Sequence, residues 1–500
     1  MHLGVPIGSA LKSRRKAASK DQFVEVVQSL EKYLGNPLSR FILNVYTKQR
    51  EGSSTPLIES LKWYCGETDN RSILSLARAL PVHGLLELGR ASFGLTRGEI
   101  VEAISDDVKR RVLSNVFRSI AHYGITKPQN LSAPFLVVWN LTNACNLRCL
   151  HCYQNAGRPL PDELTLEEKL DVVDQLSSMD VAMLAFSGGE PTMARDFLPV
   201  AKYAADSGMY VSVATNGTLL TDRRVRDMVE AGVKYVDISV DGVNPETHDN
   251  FRGVRGAWNR TIQGIRRCLD AGLTTCMATT LTRYNFDEFD GIVDFAKRLG
   301  VHRLIFFNFI PTGRGREIVE ADLTPAMREQ LMHKEYEELD KGFTVVTTAP
   351  QFARVCLTTG EEGPLGLAHF GDARIRGKAR AISEFVGGCG CGRLYCALQP
   401  NGVVTPCVFL PLRVGSLRET SFKEIWDHSP ALVSLRTRED LGGYCGPCQF
   451  RDVCGGCRAR SYGYFGTLKG PDIGCVYNNR LWKEFVRSQE KASAAEKIAA

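Results

Sequence analysis

The 500-residue sequence lacks the features of a membrane-spanning or exported chain. No stretch approaches the roughly 18 uncharged apolar residues of a membrane-spanning helix, and the most apolar one, Ile73–Leu88, is interrupted by Arg78 and Glu87. Residues 1–20 are basic and have no apolar stretch or cleavage site behind them, so we expect no secretory signal. These absences predict a cytoplasmic protein without a transmembrane segment.

The sequence also has no concentrated basic patch. The net charge is +6, and residues 1–130 hold 19 Lys and Arg against 12 Asp and Glu, whereas the remainder is close to neutral. Nucleic-acid-binding domains usually show a dense basic surface, so no nucleic-acid partner is expected. A composition with 44% hydrophobic and 24% charged residues is typical of a globular protein, and the length is enough for two or three domains.

Cysteine, in contrast, is abundant, with 16 residues in the chain. Three of them, Cys145, Cys149 and Cys152, lie within eight residues, and nine lie between Cys389 and Cys475. Thiols stay reduced inside cells, so such clusters indicate metal or redox chemistry rather than disulfides. A secreted disulfide-bonded protein is therefore excluded.

Residues 131–345 alternate between apolar, β-branched runs and amphipathic segments. This alternation predicts parallel strands joined by helices, with right-handed crossovers. The pattern alone does not decide whether the sheet is flat or curled. The predicted strands are Phe135–Leu141, Met183–Phe186, Tyr210–Ala214, Tyr235–Val240, Thr275–Leu281 and Leu304–Ile310, and the predicted helices between them are Leu164–Met179, Phe197–Ser207, Asp222–Ala231, Ala257–Ala271 and Phe286–Leu299.

The flanking regions have a different character. Residues 1–130 are predicted to be a helical domain of unknown role, 346–384 a linker that contains the Gly-rich and charged segment Gly360–Lys378, 385–478 a cysteine-rich domain, and 479–500 a terminal helix and tail. The predicted N-terminal helices are Gln22–Leu34, Pro56–Tyr64, Ile73–Leu80, Arg97–Ile104 and Val108–Tyr123.

The first thiol cluster directly follows the first predicted strand. The spacing Cys145-x3-Cys149-x2-Cys152 places three thiolates on one loop, which can hold three irons of a four-iron cluster and leave the fourth without a protein ligand. An open coordination position is what a catalytic metal needs. The spacing alone leaves zinc, or a chance arrangement, as alternatives.

This segment, Asn143–Tyr153, resembles the signature of radical S-adenosylmethionine (AdoMet) enzymes. Three further motifs follow in the order of that family: Ser187–Pro191 (Ser-Gly-Gly-Glu-Pro), Thr215–Gly217 and Ser239–Gly242, each at the end of a predicted strand. The resemblance covers Ala133–Gly315. It implies a partial (β/α)6 TIM-like barrel, an oxygen-sensitive cluster whose unique iron binds AdoMet, and cleavage of AdoMet to a 5′-deoxyadenosyl radical that abstracts hydrogen from a substrate, as an oxidoreductase does.

The resemblance also suggests cofactor-binding residues. Ligands of parallel sheets lie beyond the carboxyl ends of the strands, so these motifs should converge on one mouth. Gly188 and Gly189 would allow close backbone approach to the methionine part of AdoMet, and Glu190 would add negative charge near its ammonium group; a tight turn is the alternative. His151 is expected against the adenine, and Asn216 and Asn308 at the pocket. Ser239 and Asp241 could bind the ribose or the carboxylate, or instead cap the next helix. Arg252 and Arg260 could bind the carboxylate, or instead be surface arginines.

The cysteine-dense end has more thiols than one metal needs. Taken alone, the run from Cys445 to Cys457 suits a zinc ribbon or a rubredoxin-like site. Together with the upstream thiols it resembles the SPASM extension of radical AdoMet enzymes, which carries auxiliary four-iron clusters. The resemblance implies one cluster on Cys445, Cys448, Cys454 and Cys475, and another on Cys407 and Cys457 with two of Cys389, Cys391 and Cys396.

Two features leave the number of auxiliary clusters open at one or two. The family commonly has three residues between the last two motif cysteines, whereas Gly455 and Gly456 are the only residues between Cys454 and Cys457. The three upstream thiols also exceed the two that are needed. A single auxiliary cluster, with zinc or nothing at the second site, is the alternative.

Three functions are consistent with these patterns. The first is a maturase that modifies a peptide or protein. The second acts on a cofactor precursor, because Cys454–Arg460 resembles a segment of heme- and heme-d1-forming members, and the N-terminal residues lack the strand signals of a winged-helix peptide-recognition domain. The third, a non-catalytic electron carrier or scaffold, is disfavoured by the open iron position. A low-potential donor of the ferredoxin or flavodoxin type is the expected electron partner.

Overall fold

The structure of the chain is a computed structural model that describes residues 34–48, 55–67, 72–93, 96–360, 363–367, 369–376 and 379–499. The helix predicted at Gln22–Leu34 lies outside these residues except for Leu34. All 16 cysteines are described as free thiols, which agrees with the expectation of reduced cysteines. Within the described ranges, no helix is both long and apolar enough to cross a bilayer.

The described part of the N-terminal region is helical. Thr96 and Glu99 form a capping box that begins one helix, with each side chain bonded to the other residue's backbone N–H. The helix predicted to end at Leu80 continues through Pro81 to Phe93. The helices are α1 (Pro37–Thr47), α2 (Pro56–Cys65), α3 (Ile73–Phe93), α4 (Arg97–Ile104) and α5 (Asp107–Tyr123).

All six predicted strands are present, and they pair in parallel in the order of the chain. A seventh strand adds in parallel to β6, and β10 from the cysteine-rich region adds in parallel to β1, so the ten-stranded order is β12-β11-β10-β1-β2-β3-β4-β5-β6-β7. The strands are β1 (Leu136–Thr142), β2 (Met183–Gly188), β3 (Tyr210–Thr215), β4 (Val233–Ser239), β5 (Thr274–Leu281), β6 (Arg303–Asn308), β7 (Val345–Thr347), β8 (Pro364–Leu367), β9 (Phe370–Arg376), β10 (Tyr395–Leu398), β11 (Val403–Thr405) and β12 (Gly415–Ser416).

Helices cover one face of this sheet and bury the main hydrophobic core, in which Trp139, Phe186 and Phe306 are at most 1% exposed. The helices of this region are α6 (Leu166–Ser178), α7 (Phe197–Asp206), α8 (Asp222–Glu230), α9 (Pro245–Arg252), α10 (Ala257–Asp270), α11 (Phe289–Leu299) and α12 (Pro325–Asp340). The five predicted helices agree closely with α6, α7, α8, α10 and α11, whereas α9 and α12 have no predicted counterpart.

The N-terminal region packs on the amino-terminal side of the sheet through α5. Val112 contacts the apolar cluster that contains Leu136, the first residue of β1. Ser114 and Arg118 both donate hydrogen bonds to the carboxylate of Asp180, which lies between α6 and β2, at 3.0 Å each. Through these contacts of α5, the N-terminal helices pack on the barrel as a cap.

The segment predicted as a linker contains ordered structure. Strands β8 and β9 form an antiparallel hairpin within Gly360–Lys378. A Cβ atom on Gly366 would lie 2.4 Å from the Phe352 ring, so this glycine marks close packing rather than a free loop. The remaining helices are α13 (Phe352–Thr359), α14 (Ala379–Val386), α15 (Phe422–His428), α16 (Pro430–Leu435), α17 (Arg458–Phe465) and α18 (Asn479–Ala499).

The sheet is curled around a cavity. Side chains from β1 to β6 and from β10 border the same space, for example Val138, Asp237, Phe307 and Tyr395. Residues from so many strands can meet only if the sheet curves around that space. The curled alternative is therefore correct, and the predicted six-stranded barrel is extended by β7 and by β10.

Candidate active site

One cavity of 1520 Å³, including its open mouth, lies at the carboxyl ends of the parallel strands. The structure brings most of the sequence-predicted site residues together around it, whereas Glu190, Asp241 and Arg260 do not border it. The predicted residues that do are Cys145, Cys149, His151, Cys152, Gly188, Gly189, Asn216, Ser239, Arg252 and Asn308.

The three thiols lie on a loop that the backbone closes on itself. The Cys145 N–H donates to the carbonyl of Gly157 at 3.0 Å, and the N–H of Gly157 donates back to Asn143 at 3.0 Å. Amide groups of Leu147 and Ala156 approach the sulfurs of Cys145 and Cys152 at 3.4 Å, which stabilises negative charge on them. Burial raises the pKa of Cys145 to about 12, so binding of a metal cluster, which needs the thiolate, must release a proton.

The turn that follows β6 holds this loop from the outside. Arg314 donates its backbone N–H to the carbonyl of Cys152 at 2.9 Å and its Nε to the carbonyl of Cys149 at 3.0 Å. Gly313 has φ +56°, and a Cβ there would lie 2.3 Å from the Cys152 carbonyl oxygen. The glycine is therefore required by the close approach of two backbones.

Gly188 and Gly189 pack against the start of the same loop. A Cβ at Gly188, whose φ is +127°, would lie 2.5 Å from the carbonyl oxygen of Thr142, and one at Gly189 would lie 2.2 Å from that of Ala144. The Gly189 N–H also donates to Thr142 at 2.8 Å. Both glycines border the cavity, so they allow the turn and the cysteine loop to meet at its edge.

Glu190 has a different place from the one expected. Its carboxylate is fully buried and accepts hydrogen bonds from the hydroxyls of Thr192 and Thr215 at 2.6 and 2.8 Å, and from the Asn216 N–H at 2.8 Å. Burial raises its pKa, and these donors oppose the rise. Glu190 therefore ties the turn after β2 to the end of β3, and its expected role beside the ammonium group of AdoMet stays a prediction.

Asn216 also acts within the protein. Its Nδ2 donates to Asn146 of the cysteine loop at 2.8 Å, and its Oδ1 accepts from the Thr218 N–H at 2.9 Å. It therefore orients the loop while bordering the cavity. Ser239, the last residue of β4, borders the cavity with its side chain on the inner face of the sheet, next to Asp237 two residues earlier.

An ion pair lies beneath one side of the cavity. Arg252 Nε is 2.6 Å from Asp241 Oδ2, and Arg252 Nη1 donates to the sulfur of Cys149 at 3.7 Å. Burial acts to raise the pKa of Asp241, but the Arg252 guanidinium, the neighbouring His151 and His248 and the Thr280 N–H together hold that pKa below its ordinary value. Asp241 therefore orients Arg252 and does not itself border the cavity. Arg260 is exposed on α10 and is not part of the site.

His151 presents a neutral ring to the cavity. It stacks on Phe251 with ring centroids 4.2 Å apart and planes 18° apart, and its Nε2 is 3.8 Å from Asp241. Burial lowers the pKa of His151 to about 3, so the ring is uncharged near neutral pH. Its buried Nδ1 has no hydrogen-bonding partner among the described residues. Such an atom suits a ligand with complementary polar groups.

Asn308 links the cavity to the cysteine-rich region. Its Oδ1 accepts hydrogen bonds from Arg328 Nε and from Arg460 Nη2, both at 2.7 Å. Because both neighbours only donate, the amide is oriented with its Nδ2 away from them. That Nδ2 is buried and, among the described residues, has no acceptor.

A second, smaller cavity of 350 Å³ is bordered by four of the C-terminal cysteines. The thiol of Cys391 contacts those of Cys389 and Cys407. Burial acts to raise the pKa of Cys407, but hydrogen bonds from Cys391, Tyr395 and the Phe409 N–H together lower that pKa. The four cysteines, which we name the first auxiliary site, are Cys389, Cys391, Cys407 and Cys457.

Cys396 is not part of the first auxiliary site. It lies on β10, where side chains alternate between the two faces of the sheet. Its neighbour Tyr395 borders both cavities, whereas Cys396 packs with Leu398 in the fully buried core on the helix-covered face. The possible assignment of Cys396 as a ligand is therefore corrected.

Cys445, Cys454 and Cys475 lie close to one another, and together with Cys448, which the sequence assigns to the same cluster, they are named the second auxiliary site. Burial, followed by the neighbouring Cys475 and Cys445 thiols, raises the pKa of Cys454 well above its ordinary value. Cys448 lies three residues after Cys445 and is partly exposed. Gly455 and Gly456 have φ values of +72° and +61°. Two consecutive left-handed residues let the chain turn between Cys454 and Cys457 with only two intervening residues.

The arrangement of the thiols suits clusters of several irons. Among the described residues, no three Cys, His, Asp or Glu side chains converge as the ligands of a single metal ion do. The thiols at Cys145, Cys149 and Cys152, and those of the first auxiliary site, border cavities instead. Three cysteines on the first loop and four at the first auxiliary site fit one open and one fully ligated cluster.

Comparison with known proteins is consistent with this arrangement. Residues 139–296 match the radical SAM superfamily, and residues 389–491 match the SPASM iron–sulfur cluster-binding domain. The AdoMet-dependent heme synthase of Methanosarcina barkeri is 36% identical over 349 residues, which cover 69% of this chain and 97% of that protein. The chain belongs to the radical SAM superfamily and carries a SPASM domain. It is therefore an enzyme, and a non-catalytic carrier is excluded.

Other similar proteins carry different names. The mycofactocin maturase MftC of Mycolicibacterium smegmatis is 31% identical over 355 residues, which cover 70% of this chain and 84% of that protein. The crystal structure of SuiB from Streptococcus suis bound to S-adenosylmethionine is similar in fold, with a TM-score of 0.59 at 15% identity over 84% of this chain and 92% of that one. The predicted family, fold and cofactors, a catalytic [4Fe–4S] cluster with AdoMet and auxiliary clusters, are confirmed.

The ligand set assigned to the first auxiliary site predicts the iron content of cysteine variants. A Cys391→Ser/Cys407→Ser double variant should lose about four irons per chain, because only two of the four ligands of that cluster remain, one fewer than the three that can hold a four-iron cluster. A Cys396→Ser variant is the matched control and should keep all of its iron, since Cys396 lies in the apolar core. Iron and sulfide are measured on anaerobically reconstituted protein. Equal loss in both variants, or loss only in Cys396→Ser, would show that the ligand set is wrong.

Proposed function

We propose that this radical SAM enzyme abstracts a hydrogen atom from a side chain of an iron tetrapyrrole, as a step in cofactor formation. The feature that carries the proposal is the cavity. It extends from the cysteine loop to the aromatic side chains of Phe307 and Phe409, so a second molecule bound there would lie next to the catalytic thiols.

The walls of the cavity suit a flat apolar ring. Phe307, Phe409 and Tyr395 border it together with the cysteine loop. Aromatic side chains pack favourably on such ring systems. Arg314 borders the same space and supplies positive charge, which suits a carboxylate side chain of a tetrapyrrole.

Two relatives support this substrate class by their names. The heme synthase of Methanosarcina barkeri aligns over nearly its whole length. The Fe-coproporphyrin III synthase of the same organism is 30% identical over 356 residues, which cover 68% of this chain and 87% of that protein. The segment Cys454–Arg460 resembles such members, although its arginines lie inside the protein: Arg458 bonds the carbonyls of Leu468 and Gly470, and Arg460 bonds Asn308.

The chain's own residues would bind and orient the cofactors. Cys145, Cys149 and Cys152 would hold the catalytic cluster, and His151 would contact the adenine of AdoMet. Ser239 would bind the ribose, and Arg252 would bind the methionine carboxylate while Asp241 keeps the guanidinium in place. When bound, the cluster supplies the electron that cleaves AdoMet to the 5′-deoxyadenosyl radical. The largely apolar walls exclude water, so that the target carbon is the nearest hydrogen donor.

A peptide substrate is the second candidate, because SuiB, which is similar in fold, has been solved bound to the precursor peptide SuiA. The N-terminal region gives no further support for a peptide substrate. In the part of that region that the structure describes, only helices precede β1, whereas a winged-helix recognition domain also contains strands. We propose a ferredoxin- or flavodoxin-type electron donor for either substrate.

The two arginines proposed from the sequence can be distinguished by AdoMet binding. Arg252→Ala should raise the Kd for AdoMet at least tenfold, because a hydrogen bond to a charged group contributes roughly 1.5–3 kcal/mol. Arg260→Ala should leave the Kd unchanged, since Arg260 is exposed outside the cavity. Equilibrium binding is measured on protein of equal iron content. A loss of affinity in Arg260→Ala alone would contradict the assignment.

The substrate class is tested by isotope transfer. Reduced enzyme is incubated without oxygen with AdoMet and Fe-coproporphyrin III deuterated on its side chains, and 5′-deoxyadenosine is analysed by mass spectrometry. We expect deuterium in 5′-deoxyadenosine and a changed tetrapyrrole mass, and neither product in a Cys149→Ala variant. Deuterium transfer from a labelled peptide but from no tetrapyrrole would establish the second candidate instead.

A further inference from the structure

The substrate cavity and the first auxiliary site share a wall. Tyr395 and Phe409 border both cavities, as do Ile310 and Gly390. The wall is therefore one side chain thick at these positions. A group in this wall contacts a substrate on one side and a cluster ligand on the other.

Tyr395 makes a direct bond across that wall. Its hydroxyl oxygen is 3.1 Å from the sulfur of Cys407. A cysteine that binds iron is a thiolate and has no proton to donate, so the tyrosine hydroxyl must be the donor. The Phe409 N–H also approaches the Cys407 sulfur, at 3.4 Å.

The position of Tyr395 is fixed by its surroundings. It is the first residue of β10 and pairs with Leu136 of β1. Its carbonyl accepts the Gly392 N–H at 3.0 Å, and its ring packs against His369 with centroids 5.4 Å apart. The hydroxyl is therefore held at the sulfur rather than free to rotate away.

Apart from contacts between the thiols themselves, several sulfurs of the two auxiliary sites accept hydrogen bonds from amides. Cys457 accepts from the Arg460 N–H at 3.4 Å, and Cys454 accepts from the Gly456 N–H at 3.4 Å. Cys445 accepts from the Asp472 N–H and from the Asn478 side-chain amide, both at 3.5 Å. The contact at Cys407 is shorter than any of these, and it is made by a residue that also borders the substrate cavity.

We propose that Tyr395 is a positioning residue that raises the reduction potential of the cluster at the first auxiliary site by donating a hydrogen bond to Cys407. The reduced cluster carries one more negative charge than the oxidised one, so a donor to its sulfur ligand stabilises the reduced form more. The inference depends on the proposed ligand set of that site and not on the identity of the substrate.

The test compares Tyr395→Phe with the parent in full-length protein whose Cys145, Cys149 and Cys152 are all replaced by alanine, so that only auxiliary clusters remain. Reductive titrations are followed by electron paramagnetic resonance. Loss of the hydroxyl should lower the equilibrium constant for one-electron reduction of one cluster about tenfold, a shift of about 59 mV to more negative potential. The second auxiliary cluster should not shift and serves as an internal reference.

One control variant and one independent test separate this effect on the potential from a general change in structure. Tyr444→Phe removes an exposed tyrosine hydroxyl next to Cys445 and should leave both potentials unchanged. Global replacement of tyrosine by 3-fluorotyrosine, a stronger donor of nearly the same size, should shift the potential of the first cluster to more positive values even if Tyr395→Phe proves unstable. Unchanged potentials in the fluorinated protein, or equal shifts of both clusters in Tyr395→Phe, would overturn the proposal.

Discussion

Three thiols on a single loop can leave one iron of a four-iron cluster open, and the architecture of the barrel keeps that loop in place. The loop is fixed from three directions. Glu163 accepts the Asn143 N–H at 2.7 Å, the glycines after β2 pack against its start, and Arg314 after β6 bonds two of its carbonyls. Because the second and third contacts come from the ends of β2 and β6, the loop geometry depends on the curvature of the sheet.

The cysteine-rich region completes the barrel rather than standing beside it. Strand β10 pairs with β1, and Arg460, which is fully buried, reaches Asn308 at the end of β6. Asp322 and Asp472 lie 3.6 and 3.7 Å from the Arg460 guanidinium and balance its charge. Removing one member of such a buried network typically costs about 3–5 kcal/mol. The two regions are therefore expected to be stable only together, with the substrate cavity between them.

Much of the barrel could be predicted from the sequence, because strands buried on both faces are nearly continuous apolar runs. Strand β7 has only three residues, and the charges throughout α12 obscure its apolar face, so neither produced a recognisable pattern. The addition of β10 to β1 is a contact between residues more than 250 positions apart, and local pattern does not report such pairing. The glycines of the hairpin β8–β9 indicate a linker in the sequence, whereas in the structure Gly366 and Gly371 pack closely against neighbouring side chains.

The candidate site, like the barrel, could be predicted only in part from the sequence. Motif spacing identified the thiols and the strand ends, but the role of each polar side chain depends on its neighbours in space. Glu190 is directed to Thr192 and Thr215, Arg260 is exposed on α10, and Cys396 faces the core. Glu163 and Tyr395 carry no motif, so their contacts with the cysteine loop and with Cys407 emerged only from the fold.

The central claim is that the cluster on Cys145, Cys149 and Cys152 binds AdoMet through an open iron. Electron–nuclear double resonance of reduced protein with AdoMet labelled with ¹⁵N in its amino group and ¹⁷O in its carboxylate tests it directly. The account predicts hyperfine coupling of both nuclei to one cluster, and no coupling when Cys149 is replaced by alanine. A reduced, fully loaded protein that shows no coupling from either nucleus would contradict it.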